Sequence, residues 1–222
     1  MCYVVKAKAL KKALQEKYHA VYSNTLEELP EHETVSGFAH PRLPVLTSEE
    51  PGIIQLMEWG LVPNWVKDER TAIEMQNATL NARSETLFEK PSFRSIMQRR
   101  CLIPVNGFYE WQQRGKKKVQ YFITVKSEEI FSLGGLYDEW VNTTTGEIYK
   151  GFSIITLPAN PLMEIIHNNK KRMPLILNRE NEHDWLQPDI KETEIKNLLT
   201  QYPDSDMSAE EYSTEEKPLT LF

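Results

Sequence analysis

The sequence predicts an α+β fold in one domain, and three observations carry that prediction. Strand-like runs recur along the chain, as in 53–59 (IIQLMEW) and in the alternating 119–125 (VQYFITV). Other segments carry apolar residues at helical spacing, as in 189–201. The two kinds mix without the strand–helix–strand rhythm of a doubly wound sheet. A length of 222 residues fits one domain. With 40% hydrophobic and 26% charged residues, the chain is globular rather than disordered.

In chain order, Ala7, Leu10 and Leu14 predict a helix over 7–17. Two prolines make 35–46 an extended or turn-interrupted segment. Residues 53–59 read as a strand, after which Gly60-Leu61-Val62-Pro63 turns the chain. The polar stretch from Asn81 to Ser95 reads as a loop or a helix start, and a β region begins at 101–111 (CLIPVNGFYEW). Strands are expected at 119–125, 130–136 and 148–157, with Arg114 to Lys118 around Gly115 as a hairpin tip. Residues 158–167 predict a short helix, 172–178 a strand, and 189–201 a final amphipathic helix with Ile195, Leu198 and Leu199 on one face.

The formal net charge of −6 argues at first against a nucleic-acid partner. Its position changes that. Residues 203–222 contribute −5, with six carboxylates against Lys217, and 1–202 carry only −1. The expectation is a domain over 1–202 followed by a loosely held acidic tail over 203–222, on which Leu219, Leu221 and Phe222 offer docking groups. Basic residues cluster at Lys6–Lys12, Arg94–Arg100, Arg114–Lys118 and Lys170–Arg172; each also reads as a solvated face. Two cysteines make neither a disulfide framework nor a metal cage, and no histidine pair has metal-ligand spacing, so no metal or other cofactor is expected. No apolar run reaches the roughly 18 residues that span a bilayer, and no secretory opening is present. The expectation is a soluble, cytoplasmic protein with no membrane partner.

Several residues could carry chemistry, each with a plainer alternative beside it. Cys2 lies where removal of an initiator methionine would leave an amine and a thiol on one carbon; such a pair condenses with an aldehyde into a five-membered thiazolidine. It also reads as an incidental cysteine at a frayed end. Cys101, at the start of an apolar run, reads as a small buried hydrophobe. Glu110, between Tyr109 and Trp111, is either desolvated into a usable acid or base or simply facing water. His167 is either a proton carrier or a structural histidine. In Asn81-Ala82-Arg83-Ser84-Glu85-Thr86, Asn81 can hold an amine and Arg83 a phosphate, or the segment caps a helix. Trp59 reads as core; Trp65 is either core or a stacking surface for a base.

Taken together, these motifs resemble the SOS response-associated peptidase family, whose members sense abasic sites in single-stranded DNA. The resemblance runs from Cys2 to about Leu177. It rests on Met1-Cys2, Trp59-Gly60-Leu61-Val62-Pro63-Asn64-Trp65, the Asn81–Thr86 hexapeptide, Arg100-Cys101-Leu102-Ile103-Pro104 running into Gly107-Phe108-Tyr109-Glu110-Trp111, and His167 before Arg172-Met173-Pro174. It implies a barrel-like core of mostly antiparallel strands with flanking helices. It also implies that Cys2, freed of Met1, forms a covalent thiazolidine link to an abasic site, with Asn81 holding the amine and Glu110 and His167 moving protons. Arg83 and Arg172 would hold phosphates, and Trp65 and Pro41 would shape the strand beside the lesion. Arg94 lies beside the motifs and extends the expected DNA footprint. Alternative readings are an N-terminal thiol peptidase or autoprotease, and a non-catalytic single-stranded DNA binder. The sequence departs from the family pattern twice. Tyr3 and Val4 replace the usual Gly-Arg after Cys2, with Lys6 and Lys8 as substitute cations, and Asn168–Lys171 lengthen the spacing from the histidine to Arg-Met-Pro.

Overall fold

Alternating burial along short apolar runs produces most of the architecture. The computed structural model describes residues 2–8, 11–23 and 32–212. Its strands are β1 (Val4–Ala7), β2 (Val21–Tyr22), β3 (His32–Ser36), β4 (Arg42–Thr47), β5 (Ile53–Trp59), β6 (Asn81–Arg83) and β7 (Arg100–Val105). They continue as β8 (Gly107–Arg114), β9 (Lys117–Val125), β10 (Phe131–Val141), β11 (Ile148–Pro158), β12 (Arg172–Pro174), β13 (Ile176–Leu177) and β14 (Met207–Glu211). The helices are α1 (Lys11–Tyr18), α2 (Glu69–Ala78), α3 (Pro91–Arg94), α4 (Pro161–Ile166), α5 (Arg179–Leu186) and α6 (Glu192–Leu198).

Five strands close on themselves in the order β11, β10, β7, β4, β5 and back to β11. Four of the junctions are antiparallel; the closing one, Gly151 beside Glu58 and Phe152 beside Trp59, is parallel. This is the barrel-like, mostly antiparallel α+β core that the resemblance implied. Closure removes the exposed strand edges of an open sheet. The barrel is filled by Leu43, Ile103, Leu133 and Ile154, all fully buried, and by Trp59, whose ring stacks on Phe152 at 6.2 Å. The Trp59 indole N–H donates to the Leu80 carbonyl (2.9 Å), which satisfies its one polar atom.

A second sheet, in the order β14, β9, β8, β1, β3, lies on this core. Gly115 makes the β8–β9 turn at φ +60°, a left-handed conformation that costs glycine little, at the tip the sequence predicts. Helix α5 packs against β7 and β13. The buried Arg100 donates to the carbonyls of Trp185 (2.9 Å) and Gln187, occupying orphan acceptors at the end of α5.

Several elements differ from the sequence expectation. The first helix starts at Lys11 rather than at residue 7, because Ala7 is drawn into β1 between two partner strands; Leu10 lies outside the described residues. The stretch 81–95 opens as a strand, since β6 pairs in parallel with β11. Residues 172–178 are two short strands with different partners, β11 for one and β10 for the other. The helix expected over 189–201 spans only Glu192–Leu198, and it is not the final element. Met207–Glu211 of the expected loose tail instead pairs with β9 along the sheet edge; residues 213–222 lie outside the described residues. Among the described residues no helix is long and apolar enough to cross a membrane.

Candidate functional site

The amino end of the chain is positioned by strand pairing. β1 runs antiparallel to β8, with Val4 opposite Tyr109 and Val5 opposite Phe108. Extending that register by two residues brings Cys2 opposite Trp111, next to Glu110. Cys2 is fully buried. Burial first, and the Glu110 charge second, push its thiol far above the usual range. Glu110 is itself only 3% exposed, and burial raises its carboxyl to about 7. The carboxyl of this strand residue therefore titrates close to neutral pH.

His167 comes from the opposite side, at the end of α4. That helix starts at Asn160, whose side-chain oxygen accepts from Met163 N (2.9 Å) and whose amide donates to Tyr202 O (2.7 Å). Three hydrogen bonds stitch its far end to β8: Gln112 Nε2 to Ile165 O (2.8 Å), Gln113 N to Asn168 Oδ1 (3.0 Å) and Asn168 Nδ2 to Gln113 O (2.9 Å). The lengthened spacing Asn168–Lys171 thus forms a closed loop, completed by Lys171 N donating to His167 O (2.8 Å) with Lys171 at φ 49°. His167 Nδ1 lies 2.9 Å from the Arg172 carbonyl. A carbonyl can only accept, so Nδ1 carries the proton and Nε2 carries the lone pair in the neutral ring. Nε2 sits 3.8 Å from Glu110 Oε2. Burial lowers the His167 value and raises that of Glu110. Burial therefore favours a protonated carboxyl beside a neutral imidazole over the ion pair.

Asn81 opens β6, and both polar atoms of its carboxamide are buried with no hydrogen-bond partner. An unpartnered buried amide is costly, roughly 1–3 kcal/mol, which makes the Asn81 carboxamide a candidate ligand-binding group. Arg83 shares the Asn81 face of the strand. It is exposed, and its charge reaches the Tyr3 hydroxyl, which burial raises and which also senses Glu110. The structure therefore sets His167 against Glu110 and Cys2 within the reach of the Glu110 charge, with Arg83 sensed at Tyr3.

The other expected site residues divide. Pro41 is half-buried, its carbonyl accepting from Trp59 N (2.9 Å). Trp65 is 47% exposed and lies beside Glu139 and Val141. Glu139 pairs with Lys150, four residues along the ladder from the Gly135–Ile154 pair that faces Asn81, or about 13 Å at strand rise. Arg94 is exposed at the end of α3; among the described residues no hydrogen bond or ion pair joins it to the cluster. Arg172, expected at a phosphate, is instead buried. Its guanidinium forms a two-point contact with Glu85 and donates to Thr156 O (2.6 Å), because β12 turns it inward against β11. Lys6 and Lys8 both pair with Glu33. Cys101 is core, as the sequence predicts. The sequence reading missed Asn160 as the cap that sets α4, although the Asn160-Pro161 pair is a recognisable helix start. A surface cavity of about 1110 Å³ is lined by Arg42, Glu58, Gln76, Trp140, Tyr149 and Lys150 among others, and by none of Cys2, Asn81, Glu110 and His167.

A family model described as SOS response associated peptidase (SRAP) matches residues 1–216. The chain belongs to the SRAP family. It is 43% identical over 161 residues to the abasic site processing protein YoqW of Bacillus subtilis, covering 71% of this chain and 68% of that one. It is 34% identical over 155 residues to the abasic site processing protein HMCES of Gallus gallus, covering 60% of this chain and 45% of that one. Among solved structures, a protein of Bacteroides thetaiotaomicron matches with a TM-score of 0.91 at 40% identity, over 96% of this chain and 93% of its own.

Proposed function

We propose that this SRAP-family chain captures abasic sites in single-stranded DNA through a covalent bond to Cys2. The observation that carries this reading is the buried Glu110–His167 pair set against a cysteine next to the chain's first residue. The names of the relatives YoqW and HMCES support the lesion. Cys2 follows Met1, so its nitrogen is a peptide amide until that bond is cut. Once cut, the amine and thiol share one carbon.

The chemistry balances without any redox partner. The deoxyribose ring opens when the hemiacetal O–H loses its proton and the ring oxygen gains one; Glu110, titrating near 7, carries either proton. The amine, held by the Asn81 carboxamide oxygen, attacks the aldehyde carbon, and loss of water leaves an imine. The thiol then adds across that bond, sulfur to carbon and proton to nitrogen. The raised thiol value makes the amine the first nucleophile. The His167 Nε2 lone pair accepts the thiol proton as sulfur attacks and passes it on to the ring nitrogen. Closure within one residue has a high effective molarity and outruns strand-breaking elimination from the imine. The exposed Arg83 holds a flanking phosphate.

The test is an oligonucleotide carrying one abasic site, resolved on a denaturing gel. Wild type should give a slowly migrating adduct and Cys2→Ala none. An adduct at wild-type yield in Cys2→Ala would overturn the proposal. A second reading, an N-terminal thiol autoprotease, is favoured by the same acid–base pair acting on Cys2 through the Glu110 charge. Mass spectrometry of wild type and Glu110→Gln made in a cell-free system lacking aminopeptidase activity separates the two: loss of Met1 from wild type but not from the variant supports self-cleavage, and the same outcome in both opposes it.

A further inference from the structure

Beside the nucleophile stands an aromatic pair that the capture chemistry does not use. Tyr3, bonded directly to Cys2, packs its ring on Phe38 at 4.9 Å between centroids, with the planes 34° apart. Phe38 is 57% exposed. We propose that the ring of Phe38, backed by Tyr3, is the surface on which the nucleobase next to the captured sugar stacks. This rests on the proposed function and adds to it a residue that sets where the strand lies.

The exposure of Phe38 is built in by the turn that carries it. Phe38 is the middle residue of the short 3-10 turn Gly37–Ala39. The Ser36 hydroxyl accepts from Phe38 N (3.3 Å), His40 N donates to Gly37 O (2.9 Å), and Gly37 N donates to Tyr3 O (2.8 Å). The turn also presses on the barrel: a Cβ on Gly37 would stand 2.9 Å from the Trp59 indole, and His40, at φ 47°, binds the Trp59 carbonyl through Nδ1 (2.8 Å). The aromatic face is therefore presented by a fixed turn, and a base that lands on it orders little protein.

Position and charge select the occupant. Consecutive Cα atoms lie about 3.8 Å apart, so the Tyr3–Phe38 stack begins one residue from the Cys2 carbon that would bond the sugar. Arg83 is exposed, and its charge lowers the Tyr3 hydroxyl against the effect of burial, so a cation for the linking phosphate is within electrostatic reach of the stack. Every base has a π-face, so stacking anchors the neighbour without reading its identity, as capture of a lesion in any sequence requires.

The test uses a single-stranded oligonucleotide with a tetrahydrofuran residue in place of the abasic sugar, which has no aldehyde, and 2-aminopurine on its 5′ or 3′ side. Wild-type protein should quench the 2-aminopurine on one side. Phe38→Ala should lose that quenching and weaken binding about tenfold, roughly 1.4 kcal/mol. Phe38→Leu, which keeps apolar bulk without a π-face, should behave like the alanine variant, and Phe38→Trp should restore both signals. Thermal melts of the variants report whether the turn survives. Unchanged affinity and quenching in Phe38→Ala would overturn the inference, as would absence of quenching in wild type. The two proposals fail separately. Stacking on the tetrahydrofuran strand without any adduct on the aldehyde strand sinks capture alone. An adduct whose DNA-concentration dependence ignores Phe38→Ala sinks stacking alone.

Discussion

Replacing Glu110 by glutamine tests the buried carboxyl on which the site depends. In the folded chain its value is about 7, against 4.5 for an ordinary glutamate, with burial as the largest cause. Between those values the folded chain holds a proton that the unfolded chain has released. Stability therefore falls as pH rises through that window, and the cost is absent below about 4.5 and complete above about 7. The shift of about 2.5 units corresponds to about 3 kcal/mol, of which about 2.5 kcal/mol accrues between pH 5 and pH 8. Glutamine keeps the shape and has no proton to lose. The stability of Glu110→Gln relative to wild type should thus rise by about 2.5 kcal/mol from pH 5 to pH 8, or about 5–10 °C in melting temperature for a domain of this size. The assay is urea unfolding at both pH values, on protein whose intact mass shows Met1 retained. His167 is present in both chains, so its own titration cancels to first order. Parallel pH profiles for the two proteins would refute the buried-carboxyl reasoning.

Substitutions at three further positions test neighbouring contacts. Asn160→Ala removes both the α4 cap and the bond to Tyr202 O, and should cost about 2–3 kcal/mol in urea unfolding while slowing adduct formation through His167; Asn160→Asp, which keeps the cap acceptor, should recover part of both. In salt titrations of single-stranded DNA binding, Arg83→Gln should lower the log–log slope by about 0.7. Arg172→Lys should leave that slope unchanged and instead lose a few kcal/mol of stability, because lysine cannot reproduce the two-point contact with Glu85. A reduced slope in Arg172→Lys would return that residue to the DNA surface.

Much of the barrel was legible in the sequence, and the reason is physical. Residues 53–59 and 148–157 carry their own strand signal, and both became barrel strands with nearly the expected bounds. What sequence could not give was pairing. Nothing local in Asn81-Ala82-Arg83 says strand; β11 makes it one from a segment more than seventy residues away. The same holds for Met207–Glu211, an acidic run that reads as a tail until β9 supplies a ladder. At the site, Glu110 was visible as a carboxylate between two aromatics, but its burial is set by β1, β9 and the α4 loop together. Arg172 shows the converse: a basic residue beside a motif reads as a phosphate ligand, and only the tertiary fold reveals the carboxylate and carbonyl that occupy it.

The place of β1 in its sheet has a mechanical consequence. It lies between β8 and β3, bonded on both sides, a few residues from the atom proposed to bond DNA. Tension from a captured strand would enter at Cys2 and run along the axis of β1. Both ladders would then resist in shear, sharing the load across several hydrogen bonds at once instead of opening them one by one. A translocating motor that collides with the adduct would meet a handle anchored in the middle of a sheet, and releasing it would mean extracting that strand from between two neighbours.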